Sequence, residues 1–285
     1  MTQAKNAIEA YNAALQVHSS NIANMSVMGY KRLDISFQSI FEKTLQRGSP
    51  ASTYEGLGGI NPVQLGQGVA IANVGVDFSQ GTFITASYLD LAISGQGLFI
   101  VTPDQGLTQY YTRAGHFHLD ASGNMLTDKG MQVYGFRHDT GNLEPISLAG
   151  FSYNPALLSF TNDGILAEFP EKVDESGSRL GVPDVDKAPT QLFYQIALTS
   201  FPNPSGLQQF QGTCFAQTLA SGESSTPTIP GGAVGVVYPR QLEQSNVFYL
   251  GETIDSMDIQ RAMSGNLSIV RMVSDIISTF INRLG

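Results

Sequence analysis

Residues 252–284 read ETIDSMDIQRAMSGNLSIVRMVSDIISTFINRL, a stretch with no Pro and with Gly265 as its only Gly. Apolar residues recur seven apart at Met263, Val270, Ile277 and Leu284, widened by Val273 and Phe280 on one side and by Leu267 and Ile281 on the other. That is helical spacing rather than strand alternation. A helix of this length would reach roughly 50 Å, too long for an ordinary core helix, so its stripe needs a partner. The other terminus offers one. Ile8, Leu15 and Ile22 are also seven apart, in a stretch without Pro or Gly until Gly29. A first helix is therefore expected over residues 3–27, with Gly29 as its left-handed C-terminal cap, and a last helix from about Gly251.

Between the ends the pattern changes to strands. Residues 30–41 begin as alternation, and residues 48–68, rich in Gly, Ser, Pro and Thr, read as a long loop. Residues 74–78 and 89–93 alternate, and Leu98-Phe99-Ile100-Val101 is a short buried run. Residues 110–136 read as a meander with a turn at Ala121-Ser122-Gly123-Asn124. Two strands are expected around Asn162-Asp163-Gly164, a loop over 171–189, a strand over 192–201, a loop over 221–235, and β character again at Val236-Val237-Tyr238. The expected fold class is α+β. Long N- and C-terminal helices (1–30 with 250–285) pair as a coiled-coil-like stem, and a mainly antiparallel β domain (31–136 with 191–249) is inserted between them. Residues 137–190 form a variable segment or a small insertion of that domain.

Composition bounds the function. The 285 residues are 42% hydrophobic but only 14% charged, with a mean hydropathy close to zero. Uncharged polar residues and Gly supply the polarity, a mix that suits β-rich segments and broad protein contacts. A net charge of -9, with Lys31-Arg32 as the only basic cluster, argues against nucleic acid. One cysteine, Cys214, rules out an intramolecular disulfide framework. No apolar run approaches the ~20 residues of a membrane span, and the N-terminus lacks the zones of a cleavable signal peptide. These grounds alone would favour the cytoplasm.

Catalytic constellations do not assemble. Gly66-Gln67-Gly68 and Gly95-Gln96-Gly97 lack the third Gly and the helix that a phosphate loop needs, and no G-x-S-x-G elbow occurs. His116 and His118 share one face of an expected strand but have no acidic or thiol ligand near them in sequence, so they read as polar surface or interface residues. Asp120, Asp128, Asp139 and Asp163 sit in turn-like contexts. Cys214 reads as a buried, inert thiol. No cofactor, metal or reaction is indicated, and an enzyme is not expected.

The order of short motifs resembles the axial proteins of the bacterial flagellum, the hook and basal-body rod proteins. Asn21-Ile22-Ala23-Asn24 followed by Gly29-Tyr30-Lys31 is similar to the family's N-terminal signature. Phe78-Ser79-Gln80-Gly81 and residues 89–99 (LDLAISGQGLF) resemble its central motif. Residues 111–115 (YTRAG), 120–124 (DASGN) with Gly130, 198–207 (LTSFPNPSGL) and 218–222 (TLASG) follow in order, and Ser245-Asn246-Val247 and Gln260-Arg261-Ala262 with Asn266 resemble its C-terminal signature. Departures are Met263, where the family usually carries an aromatic, and Gly265 inside the last helix. The resemblance implies a self-assembling subunit of a hollow helical tube, a short hook protein or a distal rod protein, which transmits torque and lets export substrates pass. It implies export by the flagellar type III apparatus without a cleaved signal, and so replaces the cytoplasmic expectation with the basal body or hook. Its partners would be further copies of itself, adjoining rod, hook or junction proteins and the export apparatus, with no nucleic acid and no membrane insertion. On this reading Ile8, Leu15, Ile22, Met263, Val270, Ile277 and Leu284 carry assembly packing, and Asn21, Asn24, Gln260 and Arg261 are candidate polar contacts. A monomeric secreted β-rich binding module or enzyme with a private helical stem is the alternative.

Overall fold

In the computed structural model, residues 2–39, 42–46, 63–66, 68–104, 106–174, 178–232 and 234–284 are described, with backbone alone for Thr2, 42–46, 63–66 and Leu284. The chain forms two compact units. One comprises Met1–Ala23, Leu33–Gly75 and Phe248–Gly285; the other comprises Asn24–Arg32 and Val76–Val247.

The first unit is built on helices α1 (Thr2–Ala23) and α2 (Tyr249–Leu284), which pack on each other. The most buried line of α1 runs Ala4, Ala7, Tyr11, Ala14, His18 and Asn21, spaced alternately three and four apart. All but Tyr11 are buried, and Tyr11 meets Phe37 edge to face at 5.9 Å. The line of α2 has the same spacing through Glu252, Ser256, Ile259, Met263, Asn266, Val270 and Val273, the less exposed face of that helix. This line includes Met263 and Val270 of the expected heptads, whereas Ile277 is exposed. That of α1 lies one residue away from the expected line: Ile8, Leu15 and Ile22 are half-buried, beside Ala7, Ala14 and Asn21. Small side chains let two helices approach closely, and alanine also has the best helix propensity, so the contact selects the small residues and displaces the bulky ones to its flank.

Helix α1 ends at Ala23, short of the expected 27. The Asn21 side chain caps the strand that follows instead: it accepts from the Leu33 N–H and donates to the Leu33 carbonyl, each at 2.9 Å. That strand, Leu33–Ser39, pairs with Val69–Val76. Glu42–Gln46 pairs antiparallel with Val63–Gly66, so the C-terminal part of the expected 48–68 loop is a strand; residues 47–62 and Gln67 lie outside the described residues.

The second unit is centred on a 12-stranded antiparallel sheet. Along its main path run Leu158–Phe160, Ile165–Glu168, Gln191–Ile196, Gln132–Arg137, Leu98–Thr102, Tyr110–Thr112, Cys214–Ala216 and Gln208–Phe210. The continuous run Leu98–Thr102 is buried throughout, as a strand covered on both faces must be. Leu91–Ser94 pairs with Val236–Pro239, and Phe83–Thr85 with Gln241–Glu243. The core joins Phe99, Phe117, Met125, Val133, Phe193 and Ile196. The 171–189 stretch, read as a loop, carries a strand pair, Glu171–Val173 with Arg179–Pro183; its Pro and Gly residues obscured the pattern.

Two glycines show where backbone contact decides residue choice. Gly29 (φ +69°) does not cap α1. It sits past a turn, its N–H donates to the Glu243 carbonyl at 2.7 Å, and an added Cβ would lie 2.5 Å from the Ala114 backbone. An added Cβ at Gly115 would overlap the Leu91 carbonyl oxygen at 1.6 Å, whereas at Gly130 (φ +72°) it would meet open space among the described residues. Urea unfolding followed by far-UV circular dichroism should therefore separate the two positions. Gly115→Ala is expected to cost about 3 kcal/mol or more through overpacking, and Gly130→Ala only about 1–2 kcal/mol from its left-handed backbone. Equal losses would contradict this account of the packing.

Candidate functional site

Among the described residues, each unit contains a buried ionic cluster that joins segments distant in sequence. In the second unit it is centred on the carboxylate of Glu243, whose side chain is 0% exposed. Lys31, also fully buried, donates from Nζ to Glu243 Oε1 at 2.5 Å and to the Ser79 carbonyl at 2.7 Å. Arg113 donates from one guanidinium nitrogen to Glu243 Oε2 at 3.2 Å and to the Ile93 carbonyl at 3.0 Å, and from another to the Gly95 carbonyl. The Gly81 N–H donates to Glu243 Oε1 at 2.9 Å. Two cations face one carboxylate, and three backbone carbonyls accept further donors from them, while the buried Arg113 Nε has no hydrogen-bond partner among the described residues. Burial pushes both the Lys31 ammonium and the Arg113 guanidinium below their ordinary ranges, while the Glu243 charge acts in the opposite direction on each.

An asparagine extends the cluster. Asn246 Oδ1 accepts from the Arg32 N–H at 2.7 Å, and its Nδ2 donates to the Asp77 and Ser79 carbonyls at 2.8 and 3.2 Å. Asp77 N–H donates in turn to the Arg32 carbonyl at 2.8 Å. The backbone of Gly81 runs so close to Gln244 that a Cβ would lie 2.0 Å from its carbonyl oxygen. The sequence motifs thus converge: Gly29-Tyr30-Lys31, Phe78–Gly81, the 89–99 stretch, the 111–115 stretch and Ser245-Asn246-Val247 all supply atoms to or beside this cluster. Glu243 itself was not singled out in the sequence. The available signal was Arg113, a cation inside a motif with no acid within six residues in sequence, which forces a distant partner if it is buried.

In the first unit His18 Nδ1 lies 2.7 Å from Glu252 Oε2, and Asn21 Nδ2 donates to the same oxygen at 3.1 Å. All three residues are buried. The cluster joins the end of α1 to the first turn of α2, where a carboxylate also suits the helix dipole.

The structure distributes the sequence-derived residues unevenly. Asn21 is buried in its own chain's contacts, Asn24 lies in the turn after α1, and Ile8, Leu15 and Ile22 flank the helix seam. Met263 and Val270 lie on the α2 seam, Gln260 and Arg261 face outward, and Arg261 pairs with Asp258 one turn back at 3.3 Å. Ile277 is exposed, and the Leu284 side chain lies outside the described residues. Of the histidines, His116 binds the buried Asp90 at 2.8 Å and lies 3.6 Å from Asp128, carboxylates that sequence distance concealed. Cys214 is buried with its sulfur 3.9 Å from the Met131 sulfur, and burial pushes its thiol upward. Among the described residues no cluster could hold a metal ion, and no helix is long and apolar enough to cross a membrane.

Removing the charge of Glu243 leaves two buried cations without a counter-ion. Glu243→Gln is expected to cost about 3–5 kcal/mol of stability in the second unit. Lys31→Met, which leaves the Arg113 pair in place, is expected to cost about 2 kcal/mol. Denaturant titration of both variants checks this, and a loss below about 1 kcal/mol for Glu243→Gln would show that the carboxylate's charge is not what holds the cluster.

Comparison with known proteins follows the same motifs. A profile described as the flagellar hook protein FlgE/F/G D1 domain matches residues 92–165. The flagellar basal-body rod protein FlgG of Caulobacter vibrioides is 30% identical over 270 residues, covering 94% of this chain and 92% of that one. FlgG of Bacillus subtilis is 29% identical over 274 residues, covering 95% and 94%. The flagellar hook protein FlgE of Helicobacter mustelae is 43% identical over 143 residues, but that match covers 49% of this chain and 31% of that protein. With its terminal helices paired, its β unit antiparallel and the match running end to end, the chain belongs to the flagellar hook and basal-body rod protein family, as a structural, non-enzymatic component of the flagellar axis.

Proposed function

We propose that the chain is a distal-rod subunit that polymerises into a hollow helical tube conducting torque and export substrates. The observation that carries this reading is the uncovered end of α2. Leu267, Ile269, Met272, Ile276, Ile277, Phe280 and Ile281 are 37–65% exposed in the single subunit. At 1.5 Å per residue α1 is about 33 Å long and α2 about 54 Å, and the antiparallel contact of Asn21 with Glu252 places α1 beside the first part of α2 only. A helix end that is apolar on several faces calls for several neighbours. Further copies of the chain supply them: one heterologous contact, repeated without closing, builds a tube. Ile8, Leu15 and Ile22, displaced from the seam, offer apolar surface on α1, with Asn24, Gln260 and Arg261 as polar contacts around it. End-to-end similarity to rod proteins, against a partial match to the longer hook protein, favours the rod over the hook. Adjoining rod, hook or junction proteins and the export apparatus are the remaining partners.

Ile277→Asp combined with Phe280→Asp tests the reading. Each lost burial is worth about 1.5–3 kcal/mol, so the critical concentration for assembly should rise at least ~100-fold. The circular dichroism and thermal unfolding of the monomer should stay as in the wild type. Tubes forming at the wild-type concentration would contradict the proposal.

A further inference from the structure

The buried cluster of the β unit is one charge out of balance. Lys31 and Arg113 share the single carboxylate of Glu243, and all three side chains are buried. The other acid that acts on Lys31 is Asp77, whose carboxylate pairs with Arg32 at 3.5 Å. For Arg113 the Glu243 carboxylate is the charge that opposes burial. A buried charge in excess of its counter-ions is among the costliest features a fold can carry. The hydrogen bonding is incomplete at the same residue, because the buried Arg113 Nε has no acceptor among the described residues. A water can take up that N–H, but it leaves the charge as it was.

Arg113 also lines a cavity of about 290 Å³. Phe78, Leu98, Phe201 and Pro204 give the cavity an apolar wall, and no acidic side chain lines it among the described residues. Gly95, whose carbonyl accepts from the Arg113 guanidinium, belongs to the same wall. The Gln80 amide there is already committed to backbone: Nε2 donates to the Ile93 carbonyl and Oε1 accepts from the Gly95 N–H, each at 3.1 Å. The cavity thus joins a buried, incompletely bonded cation to aromatic and aliphatic surface, at a volume that suits a small molecule. An inorganic anion supplies the missing charge but leaves the apolar wall uncovered. An organic carboxylate answers both, since its oxygens make strong charge-assisted bonds to a guanidinium and its body covers the rings. We infer that this cavity is a binding site for a free organic carboxylate with a small aromatic or branched apolar body, whose charge completes the Lys31–Arg113–Glu243 cluster. The site lies wholly within the β unit and does not depend on how the chain assembles.

The test is calorimetric titration of the unassembled full-length chain with sodium phenylacetate, beside phenylacetamide as the neutral counterpart and sodium chloride as the inorganic one. Phenylacetate should bind at least ~tenfold more tightly than either. Lys31 does not line the cavity, so Lys31→Met removes the surplus cation and leaves the wall intact. It should weaken phenylacetate at least ~tenfold and leave phenylacetamide unchanged. Gln96→Glu, at an exposed residue of the lining, brings an acid to the site and should weaken phenylacetate as well, without moving the thermal unfolding of the chain. No binding of phenylacetate at ~10 mM, binding no tighter than that of phenylacetamide or chloride, or equal binding by the wild type and Gln96→Glu would overturn the inference. Phenylacetate taken up by the free chain but excluded from rods purified from cells would overturn the free acid as the ligand and assign the site to an acidic side chain of an adjoining protein. Uptake by both forms supports the free acid.

Discussion

The carboxylate of Glu243 sits where five stretches of chain, far apart in sequence, come together. It accepts from Lys31, Arg113 and the Gly81 N–H, while the backbone carbonyl of the same residue accepts from Gly29. Inside a protein such an arrangement contributes little net stability, because desolvating three charges offsets most of their attraction. Its effect is geometric. The Lys31 ammonium and Arg113 guanidinium have no water to fall back on, so the segments bearing them can adopt only the register that presents Glu243 and the carbonyls of Ser79, Ile93 and Gly95. An apolar cluster would tolerate sliding; this one does not. The segment 24–32 leads out of α1, and residues 243–247 lead into α2. The cluster therefore holds these two segments to each other within the β unit.

The stem follows a different rule. Its seam uses alanines on α1 against mixed residues on α2, closed at one end by the buried His18–Asn21–Glu252 cluster. Polar closure sets which turn of α1 faces which turn of α2, and small side chains permit close approach. Past Val273 the apolar pattern of α2 continues beyond the reach of its partner. An isolated soluble protein would have little reason to keep that surface. In the proposed tube it would become the common core, and the low charge of the chain fits faces that several neighbours cover.

Much of this was legible in the sequence. The heptads of α2 predicted the helix and two of the residues on its less exposed face, Met263 and Val270, but not the exposed Ile277, and alternation located most strands of the β unit. Three features were hidden, each for a physical reason. Bulk drew attention to Ile8, Leu15 and Ile22, whereas close packing of helices favours Ala7, Ala14 and Asn21. The strand pair within 171–183 is broken by a bulge and rich in Gly and charge, so no alternation survives. Glu243 is one acid in a short strand, and nothing local says that its partners lie at Lys31 and Arg113. The motifs carried the family resemblance without disclosing why their cations were there, since the reason is a contact across 212 positions in one case and 130 in the other.

If Glu243 locks these segments together, they cannot open separately. The direct measurement is native-state amide hydrogen exchange in the unassembled chain, comparing Gly29 and Gly81, whose N–H groups both bond to Glu243, with the central strand Leu98–Thr102. The account predicts that Gly29 and Gly81 exchange as slowly as that strand, through unfolding of the whole β unit. Exchange at either glycine orders of magnitude faster than in the strand would show that its segment detaches on its own, and would contradict the claim that one buried carboxylate locks these segments together.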